Sequence, residues 1–233
     1  MQGEETLTTA PFHGTIREKG ERMGPLDIFE QRKSVRAFLQ GPPQREDVMK
    51  MVDAARLAPT GKNAQNWHIA YTEKTALIHQ AAECILMKSR AIQGSLEEGN
   101  EKESLKKIEP YSIFFREAPA LVFFYYGPYR ITGLEALKLA GRPEEAATLK
   151  NSGPGIQGAA AAMENFLLCA ARLGYGTCWM TAPLFAAKEL EELVGLGLDG
   201  FHLMALTPLG RPRGIINTRP LRKPREEMFT AIS

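Results

Sequence analysis

The chain has 233 residues, 44% hydrophobic and 24% charged, which suits one globular domain with a large core. Its net charge of +2 gives no general attraction for nucleic acid or an anionic membrane, and no apolar run reaches the roughly 18 residues of a membrane helix. Residues 1–24 lack the apolar stretch of a secretory leader, and Cys84, Cys169 and Cys178 match no metal-ligand spacing, so the expectation is a cytoplasmic protein with reduced thiols and no metal.

Residues 1–24 are polar and glycine-containing and read as a tail or an arm. The rest, 25–233, reads as a single domain. Pro25 opens a short helix over 26–31. Arg32-Lys33-Ser34-Val35-Arg36 follows it. In an extended chain alternate side chains share a face, so Arg32, Ser34 and Arg36 would point one way. Fixed guanidiniums with a hydroxyl suit a phosphate. The same residues also suit a solvated basic helix end.

Gly41-Pro42-Pro43 breaks the chain before a helix over 44–57, with Val48, Met51, Val52 and Ala55 on one side. The stretch Ala58-Pro-Thr-Gly-Lys-Asn-Ala-Gln-Asn-Trp67 turns the chain into a strand over 67–72. It concentrates hydrogen-bonding groups at Thr60, Lys62, Asn63, Gln65 and Asn66 and ends on a wide aromatic ring. Amides beside an aromatic wall suit a flat heteroaromatic ligand, and ordinary loop capping suits the same residues.

A helix over 74–88 comes next. Residues 89–109 are charged and read as helical in patches and mobile. A buried aromatic strand follows over 119–126. Residues 127–152 read as a polar insert without evident chemistry. Asn151-Ser-Gly-Pro-Gly155 opens an alanine-rich helix over 156–173, which Gly174 ends. A strand over 175–180, a helix over 186–194 and a strand over 201–207 complete the core elements. Gly195, Gly197 and Gly200 have dinucleotide-loop spacing but follow a helix and precede a strand, so they read as a cap and a turn. Residues 219–225 are basic and proline-stiffened. His68 and His202 read as structural histidines and Cys178 as a buried structural thiol.

One ligand, flavin mononucleotide, has both a phosphate and a flat ring with polar edges. Here the sequence resembles the FMN-dependent nitroreductase superfamily. The likeness rests on five blocks in order: 32–36, 58–67, Leu173-Gly-Tyr-Gly-Thr-Cys-Trp179, Leu209-Gly-Arg-Pro212 and Arg222-Lys-Pro-Arg-Glu-Glu227. It implies an α+β fold, with a mixed, mostly antiparallel sheet flanked by helices, and an intertwined homodimer with FMN between the chains. By the same likeness Arg32, Lys33, Ser34 and Arg222 hold the phosphate, and Arg36 lies near the pyrimidine edge, where it favours the reduced ring. Pro59, Thr60, Gly61 and Asn63 line the ring, and Trp179, Met180 and Thr181 lie by its reactive side, partly through backbone. No side chain is expected to act as a catalytic group, because the cofactor carries the chemistry.

The implied activity is ping-pong transfer of electrons from NADH or NADPH to a small acceptor of nitroaromatic or quinone type. The alternatives are a reductive dehalogenase on the same fold, or an FMN-storing protein without turnover. The family often has Ser at Thr60 and Pro at Asn66. The C-terminal half resembles the branch with iodotyrosine deiodinase, whose substrate lid falls in the region of 89–118 here.

Overall fold

Four strands form one antiparallel sheet: β1 (Trp67–Thr72), β2 (Ala120–Tyr126), β3 (Gly176–Thr177) and β4 (His202–Gly210), in the spatial order β1-β2-β4-β3. The computed structural model describes residues 24–214 and 220–232. The expected tail, apart from Gly24, and Arg219 lie outside that range.

β2 organises both faces of the sheet because its side chains alternate. Val122 and Phe124 pack with α2 (Arg45–Arg56) and α7 (Pro154–Arg172). Leu121, Phe123 and Tyr125 pack on the other face with α3 (Thr75–Gly94) and α8 (Ala187–Val194). The rings of Phe124 and Phe166 meet edge to face at 5.3 Å, tying β2 to α7. Helices therefore cover both sides of an antiparallel sheet. The parallel component is a bridge between Ser34, just after α1 (Asp27–Gln31), and Thr177 of β3. The fold is thus α+β with a mixed, mostly antiparallel sheet.

Alanine-rich α7 ends in a glycine cap. Gly174 has φ +79°, and Tyr175 N–H donates to Ala170 O at 2.8 Å. Gly195, Gly197 and Gly200 likewise have positive φ between α8 and β4, as a cap and turn require. Among the described residues, no helix is long and apolar enough to cross a membrane.

The structure refines several of these expectations. Within 89–109 the expected helical patches are the end of α3, which runs on to Gly94, and α4 (Asn100–Ile113), which continues through Pro110. Its many charges pair along the helix, as in Lys102–Glu98 at 2.6 Å and Lys106–Glu103 at 2.7 Å. The insert 127–152 holds two short helices, α5 (Leu134–Leu139) and α6 (Pro143–Asn151). They bury only Ala146 between them, so no apolar period marked them. The strand expected over 175–180 pairs continuously only at Gly176–Thr177. Cys178 N–H donates instead to the Thr207 hydroxyl at 3.1 Å, and backbone pairing resumes at Met180 with Leu206. His68 and His202, read as structural, are exposed; His68 meets Phe201 edge to face and His202 lies tilted against Tyr126.

Gly176 sits against Val35, whose side-chain atoms lie 2.6–2.7 Å from where a Cβ would stand. Gly176→Ala should therefore force Val35 off β3 and cost about 1–3 kcal/mol, the usual penalty of overpacking. Urea unfolding measures it. An unchanged midpoint would mean that Val35 moves aside freely.

Candidate functional site

The segment leaving α1 is extended. Val35 N–H donates to Thr177 O at 2.8 Å, and Val35 is buried. Its neighbours in alternation must then face the other way. Arg36, Ser34 and Arg32 all lie near enough to the Cys178 thiol to influence it. Burial pushes that thiol up, while Arg36, Ser34 and Arg32 pull it down by less. Arg32 Nε lies 3.5 Å from Glu164 Oε1 on α7. Arg36 lies 6.0 Å from the centre of the Phe114 ring, at the base of α4. Two guanidiniums and a hydroxyl thus share one side, with Glu164 the carboxylate beside them. That side carries net positive charge and fits an oxyanion such as phosphate.

The second block of residues is the turn from α2 into β1. Lys62, Asn63 and Gln65 have φ of +58°, +52° and +46°, and they are the non-glycine residues with positive φ among the described residues. Asn tolerates this region, whereas Lys and Gln adopt it at a cost that the surroundings must offset. The surroundings are specific. Asn63 N–H donates to Thr60 O at 3.1 Å, and Gln65 N–H donates to the Thr60 hydroxyl at 3.3 Å. A Cβ on Gly158 of α7 would lie 3.3 Å from that hydroxyl, so the bare helix surface lets the turn approach. Asn66 is buried and donates through Nδ2 to Gly127 O at 3.1 Å and Gly155 O at 3.2 Å. Its Oδ1 is buried without a partner.

Pro59, Gly61 and Asn63 are exposed and Thr60 is half-buried, so the turn presents an open, polar rim. Thr60 meets α7 at position 158 and Arg32 meets it at 164. Six residues of helix separate them by about 9 Å along the axis.

The other expected residues divide. Trp179 is half-buried and packs at the edge of the core formed with α7. Met180 is buried, and both of its backbone groups are bonded to Leu206, at 2.9 and 3.1 Å. It can shape a site only from behind. Thr181 is exposed, just before a 3-10 turn, Ala182–Ala186. Lys33 is half-buried next to Arg32. Arg222 is exposed on the C-terminal segment 220–232.

Sequence reasoning missed Tyr129. Cβ atoms on Gly61 and Gly155 would both strike it, so it fastens the insert to the turn and to α7. Two helix glycines, Gly155 and Gly158, three apart in an alanine-rich helix, were the available sign of such close approach. It also missed a polar cluster between α3 and α4. Glu109 accepts hydrogen bonds from Ser89 at 3.0 Å and Gln93 at 3.1 Å, and Ser89 is buried.

Comparison with known proteins bears on the family and the fold. The model of the Nitroreductase family matches residues 29–211. A BluB-like flavoprotein of Clostridium difficile 630 is 34% identical, with a TM-score of 0.84 over 91% of this chain and 100% of its own. An iodotyrosine deiodinase of Thermotoga neapolitana is 26% identical over 190 residues, 80% of this chain and 87% of its own. A nitroreductase with bound FMN from Desulfitobacterium hafniense shares the fold, with a TM-score of 0.64 at 20% identity, over 89% of this chain and 97% of its own.

Burial pushes the Glu164 carboxyl above its usual value, and Arg32 pulls it down by less. A raised carboxyl pKa favours the protonated form in the folded state. Its contribution to stability is therefore fully present at acid pH and is lost as pH rises through the folded pKa. Glu164→Gln removes that loss. The melting temperature of the variant relative to the parent should rise as pH increases above about 4, the ordinary glutamate range. A relative fall over the same range would mean that attraction to Arg32 outweighs burial.

Proposed function

The chain belongs to the nitroreductase family, and we propose that it is an FMN-dependent oxidoreductase that uses NADH or NADPH to reduce a small organic acceptor of nitroaromatic or quinone type. The observation that carries this reading is the grouping of Arg32, Ser34 and Arg36 on the exposed side of a strand-like segment whose other side is locked into the sheet. The likeness to a flavoprotein at 34% identity supports it. Bound FMN supplies two-electron chemistry, with donor and acceptor using it in turn by a ping-pong mechanism.

The residues present fit that cofactor. The donor set at 32–36 carries more positive charge than Glu164 balances, so a phosphate supplies the missing counter-charge. Lys33 and Arg222 join Arg32 and Ser34 around it. Arg36 contributes a fixed positive charge near the pyrimidine edge. Pro59, Thr60, Gly61 and Asn63 form the rim against the ring, with Trp179, Thr181 and the backbone near Met180 on its reactive side.

The site is best completed by a second copy. Arg222 and the exposed Leu221, Met228, Phe229 and Ile232 lie on the segment 220–232, which buries no residue against its own chain. A homodimer gives those apolar side chains a surface and lets the rim of one chain face the phosphate residues of the other. The segment 89–118, which carries α4, serves as a substrate lid, since Phe114 at the end of α4 lies 6.0 Å from Arg36. A second reading, reductive dehalogenation, draws on the deiodinase relative and on that segment.

Adding FMN to the FMN-free chain should give a yellow complex of one FMN per subunit after gel filtration. NADH or NADPH should bleach it under nitrogen, and a nitroaromatic or quinone should restore the colour. Bleaching without reoxidation by any acceptor would favour a storage protein, and reoxidation by halophenols alone would favour the dehalogenase.

Arg32→Ala should weaken FMN binding about 10- to 150-fold, the equivalent of a charge-assisted contact of about 1.5–3 kcal/mol. Fluorescence titration reads it, and parental affinity would remove Arg32 from the phosphate site. Arg36→Gln should retain FMN and lower its midpoint potential in a dye-coupled titration.

A further inference from the structure

A cavity of about 440 Å³ opens beside the turn at Gly61–Asn63, on the side of the insert. Its wall includes Lys62, Tyr129, Arg130, Ile131, Leu134 and Glu135. The volume lies within the range of small-molecule sites.

The construction of that wall is specific. Tyr129 is wedged against Gly61 and Gly155, which admit it only because they lack Cβ atoms. Lys62 holds a left-handed backbone, φ +58°, and its Nζ donates to Arg130 O at 3.1 Å. A strained lysine bonded across a gap to an insert marks a position that the surroundings impose. That bond uses one of the three donors on the ammonium, leaving two. The Arg130 side chain has no carboxylate partner among the described residues. The acid in the wall, Glu135, is paired with Lys138 at 2.7 Å. The cavity is therefore left with two uncompensated cations, and Ile131 and Leu134 supply apolar surface beside them.

We propose that this cavity is an oxyanion subsite for the reactants of the neighbouring rim: it holds a phosphate or carboxylate group of a small organic molecule through Lys62 and Arg130, with the body of the molecule on Ile131 and Leu134. The inference rests on the proposed flavin reading for the identity of the reactants, though not for the binding of the anion. The oxyanion belongs either to the electron donor, as the ribose phosphate of NADPH, or to an acidic acceptor. Both present the same group to the same pair of cations. The insert thereby acquires a role in selection: it favours anionic over neutral reactants next to a rim made of other residues.

Equilibrium dialysis of the full chain, with and without FMN, tests this with two matched pairs of probes: 2′,5′-ADP against adenosine, and 4-nitrobenzoate against nitrobenzene. At least one anion should bind about tenfold more tightly than its neutral counterpart at low salt, with the preference shrinking as salt is added. Preference for 2′,5′-ADP identifies the donor as the source, and preference for 4-nitrobenzoate identifies the acceptor. Arg130→Gln should abolish the preference, Arg130→Lys should restore much of it, and Lys62→Gln should reduce it independently. FMN affinity, measured on the same samples, should stay at the parental value in the Arg130 variants. The proposal is overturned if neither anion is preferred, or if the preference survives in both glutamine variants. A chain that takes up no FMN but still prefers an anion through Arg130 would sink the flavin reading and leave the subsite standing.

Discussion

Val35 occupies the space that a side chain on Gly176 would need, and the rest of the site depends on that exchange. With Val35 pressed onto β3 and its N–H bonded to Thr177, the segment after α1 is held against the sheet on that side. A strand-like segment fixed on one face by burial presents its alternate residues on the other. Arg32, Ser34 and Arg36 are therefore grouped by a packing contact that none of them makes. Cations on a helix end would each sample many rotamers; here the backbone beneath them is ordered by the core, so less entropy is lost when an anion binds.

The second constraint is the small-residue surface of α7. Gly155 and Gly158 admit Tyr129 and Thr60 to van der Waals contact, and Asn66 stitches the turn to Gly127 and Gly155. The left-handed run at Lys62, Asn63 and Gln65 is held within this frame. Conformations of that kind persist where the surroundings over-determine them, and such places are commonly functional. The buried, partnerless Oδ1 of Asn66 belongs to the same compromise: its amide N–H groups satisfy two carbonyls, and its oxygen is left facing none.

How much of this was legible follows from what each feature leaves in a sequence. The short, continuous apolar and aromatic run of 119–126 and the helical period in 44–57 are direct prints of burial, and both elements appear where the pattern puts them. The alternating face of 32–36 was readable on the condition that the chain be extended; the condition is met by Val35, whose partner Gly176 lies far away in sequence. The α4 helix was legible only as a patch, without bounds, because its stability comes from charge pairs and contacts with α3, neither of which gives an apolar period. The short strand at Gly176–Thr177 was over-extended in the reading because Cys178 and Trp179 look like strand residues, while a hydroxyl at Thr207 takes the ladder hydrogen bond. Tyr129 and Arg130 were opaque: their contacts are with a turn some seventy residues earlier, and nothing near them in the chain records it.

The same facts separate binding from selection. The residues grouped at 32–36 stand on the sheet, and the rim at 59–63 stands on α2 and α7, all tied to the main core. The elements around them are anchored lightly: α4 buries only Ser112, α5 buries nothing, and α6 buries only Ala146. Few buried contacts mean that such elements open and change at little cost to the fold. A scaffold built this way keeps the face that carries Arg32, Ser34 and Arg36 while α4 and the insert are free to differ in sequence. On the proposed reading, cofactor retention is then a property of the sheet and α7, and choice of reactant a property of the periphery. The departure at Asn66 fits that division: a buried amide in the turn fastens the start of β1 to the beginning of the insert, so the one element that must stay rigid also sets where the variable one begins.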